Sequence, residues 1–134
     1  MELGRLVSRL VSVLAELRRP LRLEQRSGLV RRAFIDVFGS PPHMVGFERG
    51  RAFALSHYTL NSMSRELRES VEELVRAVCG QAELKSVEFM VVEEECDHRD
   101  WEHKIHRGEN TTVIGFSKRY RGYKVIVEII TQKY

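Results

Sequence analysis

The spacing of apolar residues changes at Ser40-Pro41-Pro42, and that change constrains the fold more than any other feature of the chain. Before it, Leu3, Val7, Leu10, Leu14 and Leu17 recur at alternating steps of four and three, which places them along one face of a helix. Arg5, Ser8, Arg9, Ser12 and Glu16 fall mostly away from that face. Pro20 cannot continue such a helix internally but suits the first turn of another. A second helix reaching Phe38 would bury Leu23, Val30, Phe34 and Phe38, with Gly39 placed for a left-handed cap and Ser27-Gly28 weakening its middle.

After the prolines the period becomes two. Val45 and Phe47, then Phe53 and Leu55, flank Glu48-Arg49-Gly50-Arg51, the pattern of a hairpin with glycine at its turn. The period then returns to that of a helix. Asn61 or Ser62 is placed to cap it, Met63, Leu67, Val71, Leu74, Val75 and Val78 form its apolar stripe, and Gly80 is its stop. Three strands are expected to finish the chain: one around Val87, Phe89 and Val91, one around Ile114 and Phe116, and one from Tyr123 to Thr131. The last is apolar on both faces near Val125, Ile126 and Val127, as a central or doubly covered strand would be. Tyr120-Arg121-Gly122 makes a tight turn before it, and Glu94 to Asn110 is left as a long connection.

The expected order is therefore ααββαβββ. This is an α+β class, with helices packed on an antiparallel sheet of about five strands. Residues 1–134 form a single domain, with a helical amino-terminal part at 1–39 and a long inserted loop at 94–110. By element order alone the chain resembles roadblock/longin-type domains, in which a hairpin, a helix and three further strands form one antiparallel sheet. The resemblance implies a dimeric scaffold. The extra amino-terminal helix and the long connection depart from that pattern, and fold does not dictate function.

A chain of 134 residues can bury a useful core without disulfides or metals. Two cysteines, Cys79 and Cys96, do not make a disulfide framework, which points to a reducing, cytoplasmic setting. No apolar run approaches the roughly 20 residues of a transmembrane helix. Glu2, Arg5 and Arg9 are unlike the start of a secretion signal. The net charge of +3 is unevenly spread, with ten arginines against five acids in residues 1–57 and a slight acidic excess beyond. Such a balance permits an anionic partner without requiring one.

Between Glu93 and His106 the chain gathers three of its five histidines, a cysteine and several carboxylates. Cys96, His98, His103 and His106 supply the four ligands of a structural zinc site, although one residue between Cys96 and His98 is shorter than the usual spacing. A helical turn would bring His103 and His106 to one side, with Trp101 and Ile105 covering them. Glu93 or Glu95 with two histidines is the alternative of an open, catalytic metal centre. A solvated loop whose acids pair with Arg99, Lys104 and Arg107 accounts for the same residues without metal.

Basic and aromatic residues outline a different function. Arg18, Arg19, Arg22, Arg26, Arg31 and Arg32 form a ridge on the helical part, and Arg49 and Arg51 lie in the nearby hairpin. Lys118, Arg119, Tyr120, Arg121, Tyr123 and Lys124 cluster at the last turn, where cations attract phosphates and tyrosine rings offer faces for unpaired bases. Solubilising charge and edge-protecting lysines are the competing explanation.

Three readings follow. The favoured one is a small protein-interaction or assembly module, a homo-oligomer or the partner of another protein, with a loop ordered by zinc or by that partner. The second is a binder of RNA or DNA, and the third is a metal-dependent enzyme. The chain has no phosphate-binding glycine loop and no nucleophile motif, so catalysis is disfavoured.

Overall fold

A computed structural model describes the backbone of residues 2–17, 21–94 and 99–132, and the side chains of residues 2–14, 25–94 and 101–132. Three helices, α1 (Glu2–Leu17), α2 (Leu21–Phe38) and α3 (Arg65–Cys79), accompany six strands. The strands are β1 (Met44–Glu48), β2 (Arg51–Thr59), β3 (Glu83–Glu93), β4 (Arg99–Arg107), β5 (Thr111–Tyr120) and β6 (Tyr123–Gln132). They form one antiparallel sheet in the order β1-β2-β3-β6-β5-β4. The α+β class is as expected, and β6 does lie in the middle of the sheet.

The strand count is not as expected. Most of the long connection at 94–110 is β4, an edge strand paired with β5 from Arg107↔Thr112 to Arg99↔Arg119. Its polar sequence hides the strand, because an edge strand with exposed faces needs no apolar alternation. With four strands after α3 in place of three, the order also departs from the roadblock/longin pattern.

Two hairpins set the register. Arg49 and Gly50 both take left-handed backbone, φ 51° and 75°, between the paired residues Glu48 and Arg51. Arg121 and Gly122 do the same, φ 48° and 82°, between Tyr120 and Tyr123. Two successive positive φ values give the turn whose twist matches that of flanking strands. Gly39 closes α2 at φ 76° with its N–H donating to Ile35 C=O at 2.8 Å. Ser64, not Asn61 or Ser62, caps α3, because the 3-10 turn Leu60–Ser62 intervenes; its Oγ accepts from the Leu67 N–H at 3.2 Å.

α2 and α3 pack on the same face of the sheet. Val30, Ala33 and Phe34 of α2 meet Ala52, Ala54, Val91 and Val125, and Val71 and Val75 of α3 meet Leu84, Val87, Ile114 and Ile129. Small residues lie under α2, so Ala52 and Ala54 admit the helix close to the sheet. Side chains alternate along a strand. Phe53 and Leu55 therefore point to the opposite face, away from Val45 and Phe47 on β1. Leu74, expected in the α3 stripe, stays exposed while Val75 is buried.

Candidate functional site: an exposed helix and an open sheet face

α1 is strongly amphipathic, and the apolar side of its described residues is uncovered. Leu3 is 77% exposed, Leu6 63% and Leu10 59%, and Val7, Val11, Val13 and Leu14 are exposed as well. The apolar arc is wider than the five-residue stripe expected from sequence, since Leu6, Val11 and Val13 extend it on both sides. Glu2, Arg9 and Arg5 lie beyond its Leu6–Val13 edge on a helical projection, and Gly4 and Ser8 lie beyond the other. Ser12 turns its hydroxyl back to Ser8 C=O at 3.0 Å.

The sheet face opposite α2 and α3 has no element packed on it among the described residues. Register aligns its side chains in rows across the strands. Leu55, Met90 and Ile126 make one row, and Phe53, Val92 and Lys124 the next. On the other side runs a polar row of His57, Glu88 and Glu128. His57 Nδ1 stands 3.5 Å from Glu88 Oε2. Gly46 on β1 leaves room for the Phe53 ring, which would lie 3.0 Å from a Cβ at that position. Towards β4 the face dips into a trough of 390 Å³, lined among others by Glu102, Lys104, His106, Arg119, Lys124 and Glu128.

The metal site expected from sequence is not assembled by the described residues. Cys96 and His98 lie outside them. His103 and His106 are three apart on an extended strand, not a helical turn, so they point to opposite faces: His103 pairs with Phe116 on the helix side, His106 with Val113 on the open side. Trp101, 47% exposed, has Lys118 Nζ 6.0 Å from its ring centroid. No group of three or more His, Cys, Asp or Glu side chains converges among the described residues.

The basic clusters are also divided. Arg18 and Arg19 lie outside the described residues, as does the Arg22 side chain, while Arg31 and Arg32 are exposed on α2. Arg26 is engaged. Its Nε donates to both Glu93 oxygens at 3.0 and 3.1 Å, and its guanidinium also reaches Gly50 C=O. The Ala52 N–H donates to the same carboxylate at 2.6 Å. Partial burial works against ionisation of Glu93, but the hydrogen bonds from Arg26 and Ala52 and the guanidinium charge outweigh it, holding the carboxyl below its ordinary value. The hydrogen bond to Glu93 in turn raises the Arg26 guanidinium above its usual value.

At the last hairpin Tyr120 and Tyr123 pack against the α2 core cluster. Burial, with the Glu93 charge nearby, pushes the Tyr123 hydroxyl up. Arg121 sits 5.2 Å over the Tyr120 ring. Arg119 and Lys124 point to the open face while Lys118 points to the helix side, so these cations do not form one patch.

No family model, curated protein or solved structure matches the chain. The clue in the sequence to the open face was the pair of doubly apolar strands. Met90 and Val92 on β3, and Ile126 on β6, occupy the positions between core residues. No helix of the described residues is long and apolar enough to cross a membrane.

Proposed function

We propose that this chain is a small assembly module that self-associates, with α1 as its contact element. One observation carries the proposal: α1 is amphipathic, yet every described apolar side chain from Leu3 to Leu14 faces solvent. An amphipathic helix outside a membrane is stabilised chiefly by packing its apolar face. Exposed apolar patches beyond a few hundred Å² mark interaction sites on otherwise ordinary surfaces.

A role in binding RNA or DNA has less in its favour, because Arg26 is committed to Glu93 and the two tyrosines to the core. Metal-dependent catalysis has less still, since His103 and His106 diverge.

Sedimentation velocity over about a hundredfold range of protein concentration tests the proposal, since self-association depends on protomer concentration. The expected result is a dimer that dissociates on dilution and is abolished by Leu6→Glu with Leu10→Glu. A wild-type chain that sediments as a monomer at every concentration refutes it.

A further inference from the structure

Among the described residues two apolar surfaces have no element packed on them, the exposed arc of α1 and the half-buried Phe53–Leu55–Met90–Val92–Ile126 patch on the open sheet face. We infer that they cover each other between two copies: α1 of each protomer docks on the open sheet face of its partner, making a two-fold symmetric dimer by reciprocal exchange. This inference rests on the self-association proposed above and names the surface that receives the helix.

Size is the first support. The exposed arc of α1 offers roughly 700 Å² of apolar surface, more than isolated monomers usually display in one patch. Docked on a sheet face and repeated by symmetry, it would bury on the order of 2,500 Å², in the range of stable homodimers. Pairing α1 with α1 alone would bury far less and leave both sheet faces bare. A two-fold axis also requires each protomer to present both halves of the contact, and this chain carries both.

Layering is the second support. Antiparallel sheets that face water on one side carry polar residues there, and the row Leu55–Met90–Ile126 does not, nor does the next row until it reaches Lys124. Covering that face with a helix would turn a two-layer body into three layers, helix, sheet and helix. Along the Val11 edge of α1, Gly4 and Ser8 are small enough to let the helix approach the strands.

Chain geometry favours the partner's face over the chain's own. Leu17 and Leu21 are four residue steps apart, a reach of at most about 14 Å. α2 packs on the helix side of β1, β2 and β3. A helix on the other side of the sheet would lie about two layer spacings, or 20 Å, away.

Complementation between variants provides the test. One variant carries Leu6→Glu and Leu10→Glu, which disables the helix. The other carries Met90→Glu and Ile126→Glu, which disables the face. Each alone should lose dimer affinity by at least ~100-fold, as expected for central apolar contacts. An equimolar mixture should recover a heterodimer, because one helix and one face remain intact and compatible.

A face variant that dimerises like the wild type, or a mixture that stays monomeric while both variants keep their circular dichroism, overturns the inference but leaves self-association through α1 standing. Should the face variant not fold, a photo-crosslinker at position 10 of the otherwise native chain decides the matter. Crosslinks to β2, β3 or β6 of a second copy are expected, and crosslinks confined to α1 overturn the inference. A wild type that is monomeric, or that leaves solution on phosphatidylserine vesicles as a monomer, removes both proposals together.

Discussion

Replacing Glu93 by glutamine should cost this protein about 1–2 kcal/mol at neutral pH, because one carboxylate joins three parts of the chain. It accepts a forked hydrogen bond from Arg26 Nε on α2, at 3.0 and 3.1 Å from its two oxygens, another from Arg26 Nη2, and one from the Ala52 N–H on β2, at 2.6 Å. Glutamine preserves the shape and one acceptor oxygen, so the charge and the acceptor at the second oxygen are what is lost. Hydrogen bonds to charged groups contribute roughly 1.5–3 kcal/mol each, and partial exposure of both side chains screens that figure downwards. For a domain of this size the result is a fall in melting temperature of roughly 3–8 °C.

The pH dependence has a definite sign. The folded Glu93 carboxyl lies below its ordinary value, so its contribution is complete above the usual glutamate range near ~4.3. It is lost as pH falls through the lower, folded value. Thermal melts of wild type and Glu93→Gln, followed by circular dichroism at one fixed protein concentration, should therefore differ at pH 7 and converge in strong acid. Equal melting temperatures at pH 7, or a gap that persists unchanged below pH 3, would show that the carboxylate charge does not hold α2 to the sheet.

Other substitutions probe the body of the fold. Ser64→Ala removes the side-chain acceptor for the Leu67 N–H and should destabilise α3 by about 1 kcal/mol in urea titration. Ala54→Leu inserts three carbons where Val30, Ala33 and Phe34 meet the sheet, and a loss of about 3 kcal/mol is expected; a neutral effect would mean that α2 does not approach closely there. Gly50→Ala places a side chain on a residue at φ 75° and should lower stability by about 1 kcal/mol, although nothing crowds the new methyl. A chelator should leave the melting temperature of the wild type unchanged, and those of His103→Ala and His106→Ala likewise. A chelator effect that either variant abolishes would restore a shared metal site.

The candidate site was partly visible in the residues alone. The alternating four-three spacing of α1 identified an amphipathic helix and suggested pairing, and only its flanking Leu6, Val11 and Val13 were overlooked. Ile126 stood out because β6 is apolar on both sides. Phe53 and Leu55 were harder to place. A period of two says that alternate residues share a face, but not which face is the core. Phe53 and Leu55 share one face, and α2 sits on the other, over the smaller Ala52 and Ala54. The histidines misled for a related reason. A spacing of three joins residues on a helix and separates them on a strand, and the polar composition of β4 concealed which of the two it was.

Local chemistry by itself determined the helices, their glycine stops and the two hairpin turns, because backbone preferences and the period of burial act over a few neighbouring residues. Tertiary structure decided which side of the sheet α2 and α3 occupy, that β4 closes its edge, that Glu93 is shared by α2 and β2, and that the apolar side of α1 is left uncovered among the described residues. Those outcomes depend on contacts between residues far apart in sequence, whose geometry no local pattern encodes.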